Sequence, residues 1–204
     1  MTRIHIFNNI YIKKMETKDI LTAKLLCDRH VGKGLYSEEF FHDILLLENH
    51  FFYIVYDKDK VIGFFYYLVI TPGNPIDIPG LDILAFREVP DKNGVLGICR
   101  SIGIEESYRG NKLSDVLLQY FTSVLFESYH VQVIFIPAWV KGSYIPARRL
   151  LEDNNYSFLC NLYKPWINNT QLQCPYCKKK RCICDAVIYH MKESTYYEKK
   201  ALSS

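Results

Sequence analysis

The chain has no long apolar run. Its longest, Val61–Ile70, is interrupted by Gly63 and falls far short of the roughly 20 residues a membrane-spanning helix needs. No membrane partner is therefore expected. Met1–Ile12 has neither an apolar core nor a small-residue cleavage site, which argues against a secretory signal and for a cytoplasmic protein. Charge of one sign is also missing. The 25 basic and 22 acidic residues leave a net +3, too little to argue for a nucleic-acid partner by electrostatics alone. There is no internal repeat either, since the 16 tyrosines follow no period.

What remains is a globular composition, 49% hydrophobic and 23% charged over 204 residues. That length suits one domain with a sizeable core, expected over 1–192 with a polar, frayed tail at 193–204. The oligomeric state is not readable. The seven cysteines, in a reducing compartment, stay free to meet a metal.

Periodicity and punctuation mark the elements. Tyr11–Met15 reads as an opening strand, and Thr17 as the N-cap of a helix ending near Arg29. His30–Leu35, with two glycines, reads as a loop. Ser37 caps a second helix whose buried stripe is Phe40, Phe41, Ile44 and Leu45. Phe51–Tyr56 and Val61–Ile70 form an antiparallel hairpin across Asp57–Lys60. Thr71–Gly94, dense in proline and glycine, is a long excursion expected to shape a substrate side. Strands follow at Val95–Ile104 and Val131–Ile136, a short helix runs between Pro146 and a left-handed cap at Asn155, and Phe158–Trp166 and Ala186–Met191 close the sheet.

The stretch Ile102–Phe121 carries the chemistry. A strand leads into a turn, and then into a helix whose Leu113, Val116, Leu117, Tyr120, Phe121, Val124 and Leu125 recur every three or four residues. Between them lies Arg109-Gly110-Asn111-Lys112-Leu113-Ser114. First-turn N–H groups lack helical partners and the helix dipole adds positive charge, so this junction suits an anion. Gly110 supplies a positive φ, Ser114 is small, and Arg109 and Lys112 add full charges. A turn that binds nothing has the same outline. Arg100, a charge within a central strand, needs a partner. That partner is either an acidic substrate group or an acid in Thr71–Gly94.

Cys174-Pro-Tyr-Cys177 and Cys182-Ile-Cys184 place four thiols within eleven positions, a spacing that suits tetrahedral zinc. Lys178–Arg181 between the pairs offsets thiolate charge. Free thiols or a redox pair are the alternatives; with zinc, four ligands fill the shell, so the metal is expected to be structural and to pin the last two strands. Cys27, Cys99 and Cys160 read as core residues.

Two motifs and the element order resemble the GNAT N-acetyltransferase superfamily over roughly residues 10–166. Its Arg-x-x-Gly-x-Gly/Ala motif stands here as Arg109-x-x-Lys112-x-Ser114, with lysine in place of the first glycine. A second motif matches at Ala147, Leu150, Asn155 and Tyr156, and departs at Tyr144 and Leu151, where the family has asparagine and tyrosine. The resemblance implies a mixed, mostly antiparallel α/β sheet flanked by helices on both faces, with the four-cysteine knuckle as an addition. It also implies transfer of an acetyl group from acetyl-CoA to an amine of a small molecule or peptide. The main chain of Ile102, Gly103 and Ile104 would pair with the pantetheine arm. The amides of Arg109, Gly110, Asn111, Lys112, Leu113 and Ser114 would take the pyrophosphate. Val131–Ile136 would splay from Val95–Ile104 beside the acetyl group. Tyr144 or Tyr156 would stand in for the absent proton-donating tyrosine, or pack structurally. Glu105 or Glu106 would serve as base, or belong to a solvated turn. Arg148 would meet phosphate or lie on a solvated helix face. A non-catalytic coenzyme-binding chain, or a basic zinc knuckle touching nucleic acid, is the competing reading.

Overall fold

The computed structural model describes residues 3–71, 74, 76, 78, 80, 81 and 94–202. Most of the 71–94 excursion, with its expected substrate role, lies outside them. The strands are β1 (Ile4–Phe7), β2 (Ile10–Lys14), β3 (His50–Asp57), β4 (Lys60–Ile70), β5 (Leu96–Ile104), β6 (Val133–Trp139), β7 (Ser157–Leu162) and β8 (Ala186–Lys192). The helices are α1 (Ile20–His30), α2 (Glu38–Leu45), α3 (Leu113–Glu127), α4 (Arg148–Asp153) and α5 (Glu193–Leu202). The ladder runs β1-β2-β3-β4-β5-β6-β8-β7, a mixed and mostly antiparallel sheet. Among the described residues no helix is long and apolar enough to cross a membrane.

Two compact units share the chain, each assembled from separate segments. The first holds 1–68, 100–117 and 166–183. Its β1–β4 form an antiparallel meander, with β3 and β4 paired from His50↔Leu68 to Asp57↔Lys60 and the register shifting between Val55 and Tyr56. The joining turn is tighter than expected, because Lys58 takes a left-handed φ of 52° and the ladder closes directly on Asp57 and Lys60. β4 is buried on both faces from Ile62 onward, as its apolar run around Gly63 requires. The core here is aromatic. Phe52 stacks on Phe64 at 5.2 Å between centroids, and Phe41 meets Phe52 edge-on at 5.4 Å.

Helix ends follow from local chemistry. Ser37 caps α2 as expected, its Oγ accepting from Phe40 N–H at 3.1 Å. Only Phe41 and Ile44 of the expected stripe are fully buried. Thr17 does not cap α1. It opens a single 3-10 turn, and Glu16 N–H donates to Asp19 Oδ2 at 3.0 Å ahead of the helix.

The second unit holds 69–99, 118–165 and 184–204. β5 and β6 pair in parallel over Leu96↔Val133 to Ile98↔Phe135, and their ladder stops there. β6 instead runs its full length against β8, which pairs with β7. Asn155 takes the predicted left-handed φ, 68°, after α4. Two expectations change. β7 ends at Leu162 rather than Trp166, and Lys164 N–H donates to Asp185 Oδ1 at 3.0 Å in a turn. The tail is no frayed segment but helix α5, since Tyr196 stacks on Phe126 at 4.9 Å and Lys200 Nζ pairs with Glu127 at 2.7 Å.

Candidate active site

The turn after β5 is built in three steps. Glu105 N–H donates to Ile62 O at 2.8 Å, fixing the end of the strand. A 3-10 turn, Glu106–Tyr108, follows, and Tyr108 donates its hydroxyl to Asp57 Oδ2 at 2.8 Å, anchoring the turn on the β3–β4 hairpin. Arg109 Nε then folds back onto Ile104 O at 3.1 Å. The chain arrives at Gly110 with φ 81° and Lys112 with φ 57°, and α3 begins. Lysine therefore occupies a left-handed position of the kind glycine fills at least strain, so the substitution leaves the turn's handedness intact.

The Arg109 amide, expected to take the pyrophosphate, is instead spent on Glu106 O at 3.1 Å, while the amides of Gly110, Asn111, Lys112, Leu113 and Ser114 have no acceptor among the described residues. A Cβ at Gly110 would meet nothing within 4 Å, so the approach to these amides is open. Gly110, Asn111 and Lys112 are exposed, while Leu113 is buried and anchors the helix. Five unclaimed donors at the positive end of a 15-residue helix suit a polyanion. On the strand before it, Gly103 and Ile104 are buried and Ile102 is half-buried. β5 extends from Cys99 to Ile104 beyond its last β6 partner, Ile98.

The expected proton-transfer residues fare differently. Tyr156 is buried, and its hydroxyl shares a 2.7 Å hydrogen bond with Thr122 Oγ1. Burial pushes its phenol far above the ordinary range, which suits a structural tyrosine rather than a donor that must meet a leaving thiolate. Tyr144 is 62% exposed, in a tight turn bridged to Lys141. Glu105 is engaged by Arg29, and its Oε1 lies 3.6 Å from His30 Nε2. Arg148 Nε lies 3.7 Å from Glu152 Oε1, one turn on in α4. Glu106 is exposed.

Two groups beside β5 carry no sequence signature. Tyr36, from the loop after α1, is buried and shares a 2.7 Å hydrogen bond with Ser101 Oγ. Burial raises its phenol, and the Arg100 guanidinium beside it works the other way. His30 packs against Gly103, where a Cβ would stand 2.7 Å from the His30 Cβ. Its Nε2 is buried without a hydrogen-bond partner. Burial pushes this imidazole below its usual range, against the pull of Glu105. Only Gly32 and Gly34 ahead of Tyr36, and Gly103 on β5, hinted at close packing here.

The four knuckle sulfurs, of Cys174, Cys177, Cys182 and Cys184, all lie within 4.8 Å of one another. Tetrahedral zinc with Zn–S bonds of about 2.3 Å needs sulfurs about 3.8 Å apart, so the donor set and its spacing fit that ion. Cys174 and Cys182 are buried and the other two half-buried. Cys27 and Cys99 are core thiols, and burial pushes Cys99 up to about 12.

The arrangement matches solved acetyltransferase structures along nearly its whole length. Arabidopsis thaliana NAA60 with a bisubstrate analogue aligns over 90% of this chain and 97% of its own, at a TM-score of 0.66 and 14% identity. Ribosomal-protein-S5-alanine acetyltransferase from Vibrio fischeri aligns over 95% and 97%, at 0.64 and 13% identity. A mutant form of spermidine N-acetyltransferase SpeG from Vibrio cholerae aligns over 94% and 98%, at 0.63 and 12% identity.

The chain has the GNAT fold.

No protein-family model matches the sequence. No curated protein matches it in sequence. In the GNAT fold of this chain, the unclaimed amides lie between β5 and α3 in sequence. The cysteine knuckle lies between β7 and β8 in sequence.

Proposed function

We propose that the chain moves an acetyl group from acetyl-CoA to a primary amine of a small molecule or peptide. One observation carries this reading: the five open amides of Gly110–Ser114 at the α3 N-terminus, ready for a diphosphate. Acetyl-CoA bound there brings the thioester. Arg109 and Lys112 add charge toward its phosphates. The main chain of Ile102, Gly103 and Ile104, on the edge of β5 that β6 leaves after Ile98, pairs with the pantetheine arm and orients the carbonyl. Arg100 holds the acceptor side, with Tyr36 against it. Glu105, at the end of β5, is the base. The supporting likeness is of fold: an NAA60 structure of the same fold is a complex with acetyl-CoA.

The knuckle cysteines, as thiolates, hold a structural zinc whose full shell leaves no place for substrate. Lys178, Lys179, Lys180 and Arg181 between them are all exposed, which favours the second reading, a nucleic-acid-binding module on a non-catalytic scaffold.

Titration calorimetry with acetyl-CoA and then with single-stranded RNA separates the two. Micromolar coenzyme binding without RNA binding supports the transferase, and the reverse pattern retires it. Release of free thiol from acetyl-CoA in the presence of spermidine or of a peptide α-amine then reports turnover.

A further inference from the structure

The segment before the first cysteine pair lies along the loop after α1. Gln173 N–H donates to Lys33 O at 2.7 Å in an isolated antiparallel bridge. Glycines flank that bridge because nothing larger fits. A Cβ at Gly32 would stand 2.9 Å from Leu172 Cδ1, and one at Gly34, with φ 77°, would run into the Gln171 carbonyl. From the other side, Gly34 N–H donates to Asp28 Oδ1 at 3.1 Å. Leu172 and Cys174 are nearly inaccessible, so the arm is packed rather than laid on the surface. Two residues beyond Gly34, Tyr36 reaches β5, where its hydroxyl shares a 2.7 Å hydrogen bond with Ser101 Oγ and the Arg100 guanidinium acts on its phenol.

We propose that the cysteine knuckle is a metal-dependent clamp on this loop, setting the acceptor side of the reaction through Tyr36 and Arg100. The reaction half of this statement rests on the transferase reading above; the clamp itself does not. The loop from Val31 to Tyr36 forms no helix or strand, and its two glycines raise the entropy lost on ordering. Its order must come from what it touches. The arm from Gln171 to Asp185 likewise holds no helix or strand, and its four thiolates would close on the metal. Removing the metal frees the arm. The loop then loses its backing, and Tyr36 loses its fixed position against Arg100. Tyr36 is a positioning residue here.

Amide hydrogen exchange on the full chain, zinc-loaded and after treatment with a zinc chelator, tests the clamp. Exchange in 31–36 and 171–175 should quicken at least about tenfold on metal removal, with the β3–β4 hairpin unchanged. Equal rates in 31–36 with and without metal would overturn the proposal. So would loss of protection throughout, which makes the knuckle a staple for the whole fold. Tyr36→Phe extends the test without touching a cysteine. It should keep zinc content and acetyl-CoA affinity and raise KM for the amine by up to about tenfold at little change in kcat, the scale of one buried hydrogen bond. An unchanged KM would overturn the positioning role. If the zinc-loaded chain neither binds acetyl-CoA nor releases thiol, the transferase reading fails, while the exchange rates still decide the clamp.

Discussion

Gly110→Ala separates the strength of the fold from the strength of the anion site. Gly110 sits at φ 81° with open space where a Cβ would stand. The chain therefore meets only the backbone strain of an L-residue in the left-handed region, about 1–2 kcal/mol. For a chain of this size that lowers the melting temperature by about 2–4 °C per kcal/mol. The coenzyme meets more. A methyl group among the unclaimed amides of Gly110–Ser114 should displace at least one charge-assisted N–H···phosphate bond, worth about 1.5–3 kcal/mol. That corresponds to acetyl-CoA binding weakened roughly ten- to a hundredfold. Gly142 is the matched control, since it too is left-handed, at φ 63°, with nothing within 4 Å of a Cβ. Gly142→Ala should lose similar stability and keep acetyl-CoA affinity within about twofold. Differential scanning fluorimetry and titration calorimetry on both variants complete the comparison. If Gly110→Ala melts lower yet binds acetyl-CoA like the wild type, the open amides are not the diphosphate site.

Three further outcomes follow from the same structure. Cys182→Ser should cut zinc from about one ion per chain to a small fraction by atomic absorption, because a tetrahedral four-thiolate site loses its closure with any ligand; full retention would refute the ligand set. Burial depresses the His30 imidazole, with Arg109 and Arg29 in the same direction and Glu105 opposed. The unfolded chain then takes up this proton first, so stability is present above the ordinary histidine pKa of about 6.5 and is lost as pH falls through the lower folded value. Urea unfolding should show a shallower acid-side decline for His30→Asn than for the wild type, and parallel declines would refute the assignment. Tyr156→Phe strands Thr122 Oγ1 and should cost about 1 kcal/mol in urea melts. It should leave thiol release intact, and a collapse of turnover with normal stability would restore Tyr156 to the chemistry.

Sequence spacing located α3 but turned its face slightly. The expected stripe included Val116, Tyr120 and Val124, whereas Leu113, Leu117, Leu118, Phe121, Leu125 and Phe126 are the buried apolar residues. Two neighbouring rows of this helix are apolar, and a spacing of three or four cannot say which row meets the sheet. The expected tail failed for a related reason. Polar composition suggested fraying, but Tyr196 and Lys200 find partners in Phe126 and Glu127, far away in the chain. β1 went unread because four residues joined by an Asn8-Asn9 turn give too short an alternation.

The order of strands and helices from β2 to β8, the Ser37 cap, the Asn155 turn, the helix start after Gly110 and the thiol spacing were all determined by the sequence itself. Each depends on groups a few residues apart, whose geometry the local backbone sets. Only the tertiary structure placed Tyr36 on Ser101, His30 behind Gly103 and the knuckle arm on Lys33. Those pairs are joined by packing between distant segments, and a contact of that kind leaves no period or spacing along the chain.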